Sequence, residues 1–227
     1  MNISVVIPAY NEASMIGQVV QSVLPMVSQV VVIDDGSSDT TAQVAAQAGA
    51  VVLRHMINRG QGAALQTGTR YCLENGSDVI VHFDADGQFE PAEIPKMMEP
   101  VLNGQVDLVI GSRFLKSNQI PTLRRLFLKF GILFTWFFAG IKLTDTHNGF
   151  RVLSRKAAEL IILTQDRSAH ASEIIEQVFR HDLKWLELPV SVKYTAYSTS
   201  RQDGVRNEGN VKKIRVAVRF ILSKLLS

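Results

Sequence analysis

Up to about residue 110 the chain alternates short apolar runs with segments of helical spacing. Ile3-Ser4-Val5-Val6-Ile7 is a near-continuous apolar run, the kind carried by a strand buried on both faces, and Pro8 is expected to end it. A helix over residues 12–24 follows, then a strand over 30–33 that stops at Asp34. Asp39, Thr40 and Thr41 open a second helix, which Gly49 closes. Val51-Val52-Leu53, the run over 79–83 ending at Asp84, and Leu108-Val109-Ile110 supply three more strands, with helices over 62–73 and from Pro91 between them. Repeated βα units with right-handed crossovers predict an α/β fold, a mostly parallel central sheet with helices on both faces. Ligands of such sheets sit beyond the carboxyl ends of the strands. Here polar clusters follow strands one, two, four and five.

After residue 115 the pattern changes. Residues 124–142 read as a helix rich in Phe and Trp that begins with Arg124 and Arg125, 145–151 as a polar turn, 171–181 as a helix and 185–194 as a strand. A loop over 198–210 leads into a basic amphipathic helix over 212–226. The expected organisation is one domain over 1–200, followed by a flexible loop and helix over 201–227. The stretch over 127–141 is the most apolar and contains Lys129. As a helix it reaches roughly 22 Å, short of the roughly 30 Å hydrocarbon core of a bilayer, so it is not expected to span one. Cys72 has no partner for an intrachain disulfide, and Met1-Asn2-Ile3-Ser4 lacks the basic start of a secretory leader. A cytoplasmic location follows as the expectation.

Three clusters carry candidate chemistry. In Asp84-Ala85-Asp86-Gly87-Gln88, carboxylates two residues apart in a turn can converge on one divalent cation, with Gln88 as a neutral oxygen ligand. Hard oxygen donors of this kind select Mg²⁺ or Mn²⁺; a plain Asp-Gly turn would use the same residues. In Asp34-Asp35-Gly36-Ser37-Ser38-Asp39, the last residue suits a helix start. The adjacent pair Asp34-Asp35 calls for a nearby cation or hydrogen-bond donor, which a uracil imide or a guanine edge would supply. Asn58-Arg59-Gly60-Gln61-Gly62 leads into a helix whose first N–H groups favour an anion. It is not a dinucleotide fingerprint, because Leu65 stands where a third glycine is needed.

Together with Pro8-Ala9-Tyr10-Asn11-Glu12, Gly111-Ser112-Arg113 and Asp145-Thr146-His147-Asn148-Gly149-Phe150-Arg151, these clusters resemble, in order and spacing, the family 2 glycosyltransferases of GT-A fold. The similarity is greatest to the dolichyl- and polyprenyl-phosphate sugar transferases. The resemblance implies that Pro8, Tyr10 and Glu12 hold base and ribose, that Asp35 reads the base, and that Asp84, Asp86 and Gln88 bind a Mg²⁺ or Mn²⁺ ion bridging the diphosphate. It further implies that Arg113 positions an acceptor phosphate, with Arg124 or Arg125 as a second candidate, and that Arg201 lies near the donor phosphates. Asp86, Arg113 and Asp145 are then the candidate catalytic residues. Gln61 and Arg201 depart from the family pattern, each standing where lysine is frequent, and a neutral Gln cannot replace a cation.

The implied activity is inverting transfer of a sugar from a GDP- or UDP-linked donor to a lipid phosphate, peripherally at a membrane surface and with no nucleic acid involved. A hydroxyl acceptor is the alternative, and it needs a base, for which Asp145 is the candidate. Asp145 could equally be a turn residue bonding its own backbone. A non-catalytic nucleotide-sugar binding module would be expected to lack Asp84 or Asp86. A sugar nucleotidyltransferase would need a basic, glycine-rich loop where the acidic Pro8-to-Glu12 segment stands.

Overall fold

The computed structural model describes residues 1–115, 143–167 and 169–193. The helices expected over 124–142 and 212–226, the loop over 198–210, and Arg124, Arg125 and Arg201 lie outside the described residues.

Seven strands form one sheet: β1 (Ile3–Ala9), β2 (Gln29–Asp34), β3 (Val51–Arg54), β4 (Val79–His82), β5 (Leu108–Ser112), β6 (Arg151–Ser154) and β7 (Trp185–Pro189). Their spatial order is β3-β2-β1-β4-β6-β5-β7. Strands β1 to β4 pair in parallel, as do β5 and β7. β6 runs antiparallel between β4 and β5, with His82 opposite Arg151 and Ile110 also opposite Arg151. Six of the seven strands therefore end at one edge, and β6 begins there. That single reversal delivers residues 145–150 to the edge where the acidic clusters lie.

The helices among the described residues are α1 (Ile16–Val23), α2 (Thr41–Gln47), α3 (Gln61–Glu74), α4 (Ile94–Leu102), α5 (Arg155–Leu160) and α6 (His170–Arg180). On one sheet face Val6, Ile33, Ile80, Leu108, Ile110 and Leu153 join Leu65 and Cys72 of α3, Ala157 of α5 and Ile174 of α6 in a buried cluster. The alternate residues Val5, Ile7, Val32, Val81, Val109 and Val152 are buried as well. Both faces are covered, and this is why these strands read as continuous apolar runs.

Three local expectations change. Pro8 does not end β1: the ladder to β2 continues through Pro8 opposite Ile33 and Ala9 opposite Asp34. The Val6 carbonyl faces β4, accepting from Phe83 N–H at 3.1 Å. Pro8 faces the same way, past the last β1–β4 pair, where its missing N–H forfeits no bond. The first helix starts at Ile16 rather than residue 12, since Asn11 adopts φ +53° and residues 12–15 form a turn. Finally, the polar turn expected over 145–151 leads directly into β6, and helix α5 follows it; neither was anticipated.

Candidate active site

The acidic turn after β4 rests on an aromatic floor. Phe83, Phe89 and Phe150 lie with ring centroids 5.2–5.6 Å apart, tilted or edge-on to one another. Gly87 takes φ +68°, and Gln88 N–H donates to Asp86 Oδ1 at 3.1 Å. Asp84 keeps partial exposure yet is packed deeply enough for its pKa to be pushed up to about 7. Withdrawal from water is the first cause and the Asp86 charge the second; Arg151, Arg113 and a 2.8 Å hydrogen bond from Gln61 Nε2 oppose it.

Two carboxylates that repel each other at a partly open edge are a donor set a divalent cation fits. Among the described residues no third His, Cys, Asp or Glu completes a cage. Mg²⁺ and Mn²⁺ accept such a partial set, because they retain positions for water and substrate phosphate.

Beside this turn opens a cleft of about 300 Å³, lined by Pro8, Tyr10, Glu12, Asp35, Asn58, Gln61, Asp84 and Asp86. The loops after β1 and β2, which supply Tyr10, Glu12 and Asp35 to the cleft, are tied together by polar bonds. Asn11 N–H donates to Ser37 Oγ, Glu12 N–H to Thr41 Oγ1 and Ser38 N–H to Asn11 Oδ1, each at 2.8 Å. The repulsion expected between Asp34 and Asp35 is relieved from within the protein. Asp34 is buried against Arg54 Nε at 3.0 Å. Asp35 accepts from His55 Nδ1 at 2.7 Å, Arg59 N–H at 3.0 Å and Gly60 N–H at 2.6 Å.

The glycines at the start of α3 have a different task from the anion cradle expected of them. The N–H groups of Gly62 and Ala63 donate to the Asp166 carbonyl at 2.8 and 3.3 Å. A Cβ at Gly60 would lie 2.5 Å from that oxygen, and one at Gly62 would collide with the Gln165 carbonyl. Here the glycines admit the 165–166 segment against the helix start, so these two donors already have a partner.

The third component comes from the segment entering β6. Asp145 is buried, and Arg113 grips it with Nε to Oδ2 and Nη2 to Oδ1, both at 2.6 Å, plus its own N–H to Oδ2 at 3.0 Å. Asn148 Nδ2 adds a bond to Oδ2 at 3.2 Å. Glu187 of β7 anchors the same turn, accepting from the N–H groups of Thr144 and Asp145 at 3.0 and 3.1 Å. Gly149 packs directly on the Asp84 carboxylate.

A model of the glycosyl transferase family 2 matches residues 4–162. The chain belongs to that family. An uncharacterized protein of Methanocaldococcus jannaschii is 37% identical over 98% of this chain and 92% of its own length. A UDP-N-acetylglucosamine–dolichyl-phosphate N-acetylglucosaminyltransferase of Methanococcus voltae is 30% identical over 89% of this chain and 90% of its own. An undecaprenyl-phosphate mannosyltransferase of Micrococcus luteus is 30% identical over 90% of this chain and 88% of its own. Glucosyl-3-phosphoglycerate synthase of Mycobacterium tuberculosis, solved with Mn²⁺, UDP-glucose and phosphoglyceric acid, shares the GT-A fold at 20% identity. Its TM-score is 0.65, over 86% of this chain and 72% of that one.

As a family 2 glycosyltransferase the chain gathers Pro8, Tyr10, Glu12, Asp35, Asp84 and Asp86 around one cleft and sets Arg113 and Asp145 against each other. Gln88 lies buried just after the acidic turn. Three contributors, His55, Arg151 and Glu187, had no role of their own legible in the sequence, while Gln61, marked there only as standing where lysine is frequent, bonds Asp84. Arg151 is fully buried, with Nε and Nη1 unpartnered among the described residues. Loss of water pulls its pKa down to about 10, against the charges of Asp84 and Asp145. The neighbouring His82 is held neutral, its pKa lowered to about 3 by burial and then by the Arg151 and His170 charges. An arginine at the start of a strand gives no local sign that it will become the countercharge beneath two carboxylates. Its only signal was its place at the end of the Asp145-to-Arg151 motif.

Proposed function

We propose that this chain is an inverting glycosyltransferase moving a sugar from a GDP- or UDP-linked donor to a polyprenyl or dolichyl phosphate. The observation that carries the reading is the two-pronged Arg113–Asp145 pair beside the acidic turn. Both Asp145 oxygens accept from Arg113, so the two groups are held together as one fixed ion pair. An ionised phosphate needs no base, and the arginine, whose charge already reaches Asp84, is a fixed cation for an anionic acceptor. Relatives named for transfer to dolichyl and undecaprenyl phosphate support the same acceptor class.

In this reading the acceptor phosphate oxygen forms a bond to the anomeric carbon as the bond to the nucleoside diphosphate breaks, in line and with inversion. Asp84, Asp86 and Gln88 would hold a Mg²⁺ or Mn²⁺ ion, which neutralises charge on the leaving diphosphate. Pro8, Tyr10, Glu12 and Asp35 seat the nucleoside. No helix among the described residues is long and apolar enough to cross a membrane. We place the enzyme peripherally on the cytoplasmic face, held by Arg124, Arg125 and the basic C-terminal segment.

The test is transfer from UDP- and GDP-sugars to polyprenyl phosphate with Mn²⁺, followed by extraction of the glycolipid and assignment of its anomeric configuration. The expected product forms with inversion, disappears with chelator, and declines when Arg124 and Arg125 are reversed in charge. Binding to anionic vesicles should weaken with salt in parallel. Sugar transfer confined to soluble hydroxyl acceptors would replace this reading with the one in which Asp145 acts as base.

A further inference from the structure

We infer that the cleft selects uridine over guanosine and cytidine nucleotides, because Asp35 retains only one open hydrogen-bond acceptor position. The inference rests on the nucleotide-sugar reading above and narrows its donor. A carboxylate offers about four acceptor positions, two on each oxygen. Asp35 Oδ1 uses both, on His55 Nδ1 at 2.7 Å and Arg59 N–H at 3.0 Å. Oδ2 uses one, on Gly60 N–H at 2.6 Å.

The His55 bond is held in place from its far side. A carboxylate can only accept, so Nδ1 carries the proton, and Nε2 meets the Thr67 hydroxyl at 3.0 Å. The two backbone donors come from a segment fixed by the packing of Gly60 against Asp166. Asp35 is 3% exposed and lines the cleft, so water cannot readily exchange for any of the three bonds. What remains is a single position on Oδ2.

Base edges differ in what they need from such a group. Guanine presents two adjacent donors, N1–H and the 2-amino group, and satisfies them on a carboxylate through both oxygens at once. Oδ1 is filled, so one guanine donor would be buried without a partner, a loss that strongly penalises a ligand. Uracil presents one imide N–H between two carbonyls and needs only the one position. Cytosine carries a lone pair at the same ring atom and would face the carboxylate with like charge density. Tyr10, 45% exposed on the cleft wall, adds an aromatic face that any base can stack on. Selection therefore falls to Asp35.

The deciding measurement is calorimetric titration of the full chain with UDP, CDP and GDP in saturating Mn²⁺. UDP is expected to bind at least tenfold more tightly than either of the others. A Kd for GDP or CDP less than tenfold above that of UDP, with Mn²⁺-dependent binding intact, overturns the uridine assignment and leaves the glycosyltransferase reading standing. Absence of Mn²⁺-dependent binding by all three overturns both.

Discussion

Gly149 stands against the carboxylate of Asp84 so closely that a Cβ on it would lie 2.6 Å from Asp84 Cγ. The two residues are 65 positions apart in the chain, and the contact exists because β6 starts at the edge where β4 stops. The glycine thus sets how near the Asp145-to-Arg151 segment comes to the acidic turn.

Gly149→Ala is expected to displace Asp84 while leaving the sheet intact. Transfer should fall at least tenfold, about 1.4 kcal/mol of transition-state stabilisation, and Mn²⁺-dependent nucleotide binding should weaken with it. Steady-state kinetics and calorimetry on the variant check this, with circular dichroism as the control for folding. Wild-type rates in a folded variant would separate Gly149 from the function of Asp84.

Asp86→Asn removes one charge from the pair and with it the repulsion that, after burial, lifts the Asp84 pKa. The turn is held by backbone geometry at Gly87 and by the phenylalanine floor, so thermal stability should change little. Activity should drop on the order of a hundredfold or more through loss of a metal ligand. Titration of activity against Mn²⁺ reads both effects, and a variant with unaltered metal dependence would remove Asp86 from the metal site.

Replacing Arg113 with Met leaves Asp145 buried and charged beside Asn148. Breaking a buried pair from one side costs about 3–5 kcal/mol, so urea unfolding should shift by that amount. Arg113→Lys should recover part of the stability and little of the activity, since a point charge cannot reproduce the two-pronged grip. Equal losses of stability and activity in both variants would make the pair purely structural.

Cys72 lies in the core between α3 and the sheet, and burial pushes its thiol up to about 11 from an ordinary value near 9. The folded state then holds a proton that the unfolded state releases between those values, so stability falls as pH rises through roughly 9 to 11. The effect is at most roughly 2–3 kcal/mol. Wild type should lose stability relative to Cys72→Ala when denaturation at pH 10.5 is compared with pH 7.5. The thiol should also resist labelling at neutral pH until the protein unfolds. Rapid labelling of the native state would contradict the burial.

Much of the fold was legible because its signals are local. Apolar runs over 30–33, 79–83 and 108–110 marked strands covered on both faces, and Gly49 and Gly87 marked backbone turns. The proximity of Asp84 and Asp86 was legible too, because two carboxylates two residues apart in a turn feel each other's charge. The same locality misled at Pro8, where only the end of the β4 ladder makes a missing N–H harmless.

By itself, then, the sequence determined six of the seven strands, the acidic edge and the family, all properties of neighbouring residues or of motifs in order. Only the tertiary structure decided what occupies each group. It closed Gly62 and Ala63 onto the Asp166 carbonyl, left Asp35 one acceptor position, and joined Arg113 to Asp145. Each of these depends on segments distant in sequence meeting at a set register across β6 or α3. A hydrogen-bonding position is filled by whichever partner packing brings within 3 Å, and no local pattern encodes that distance.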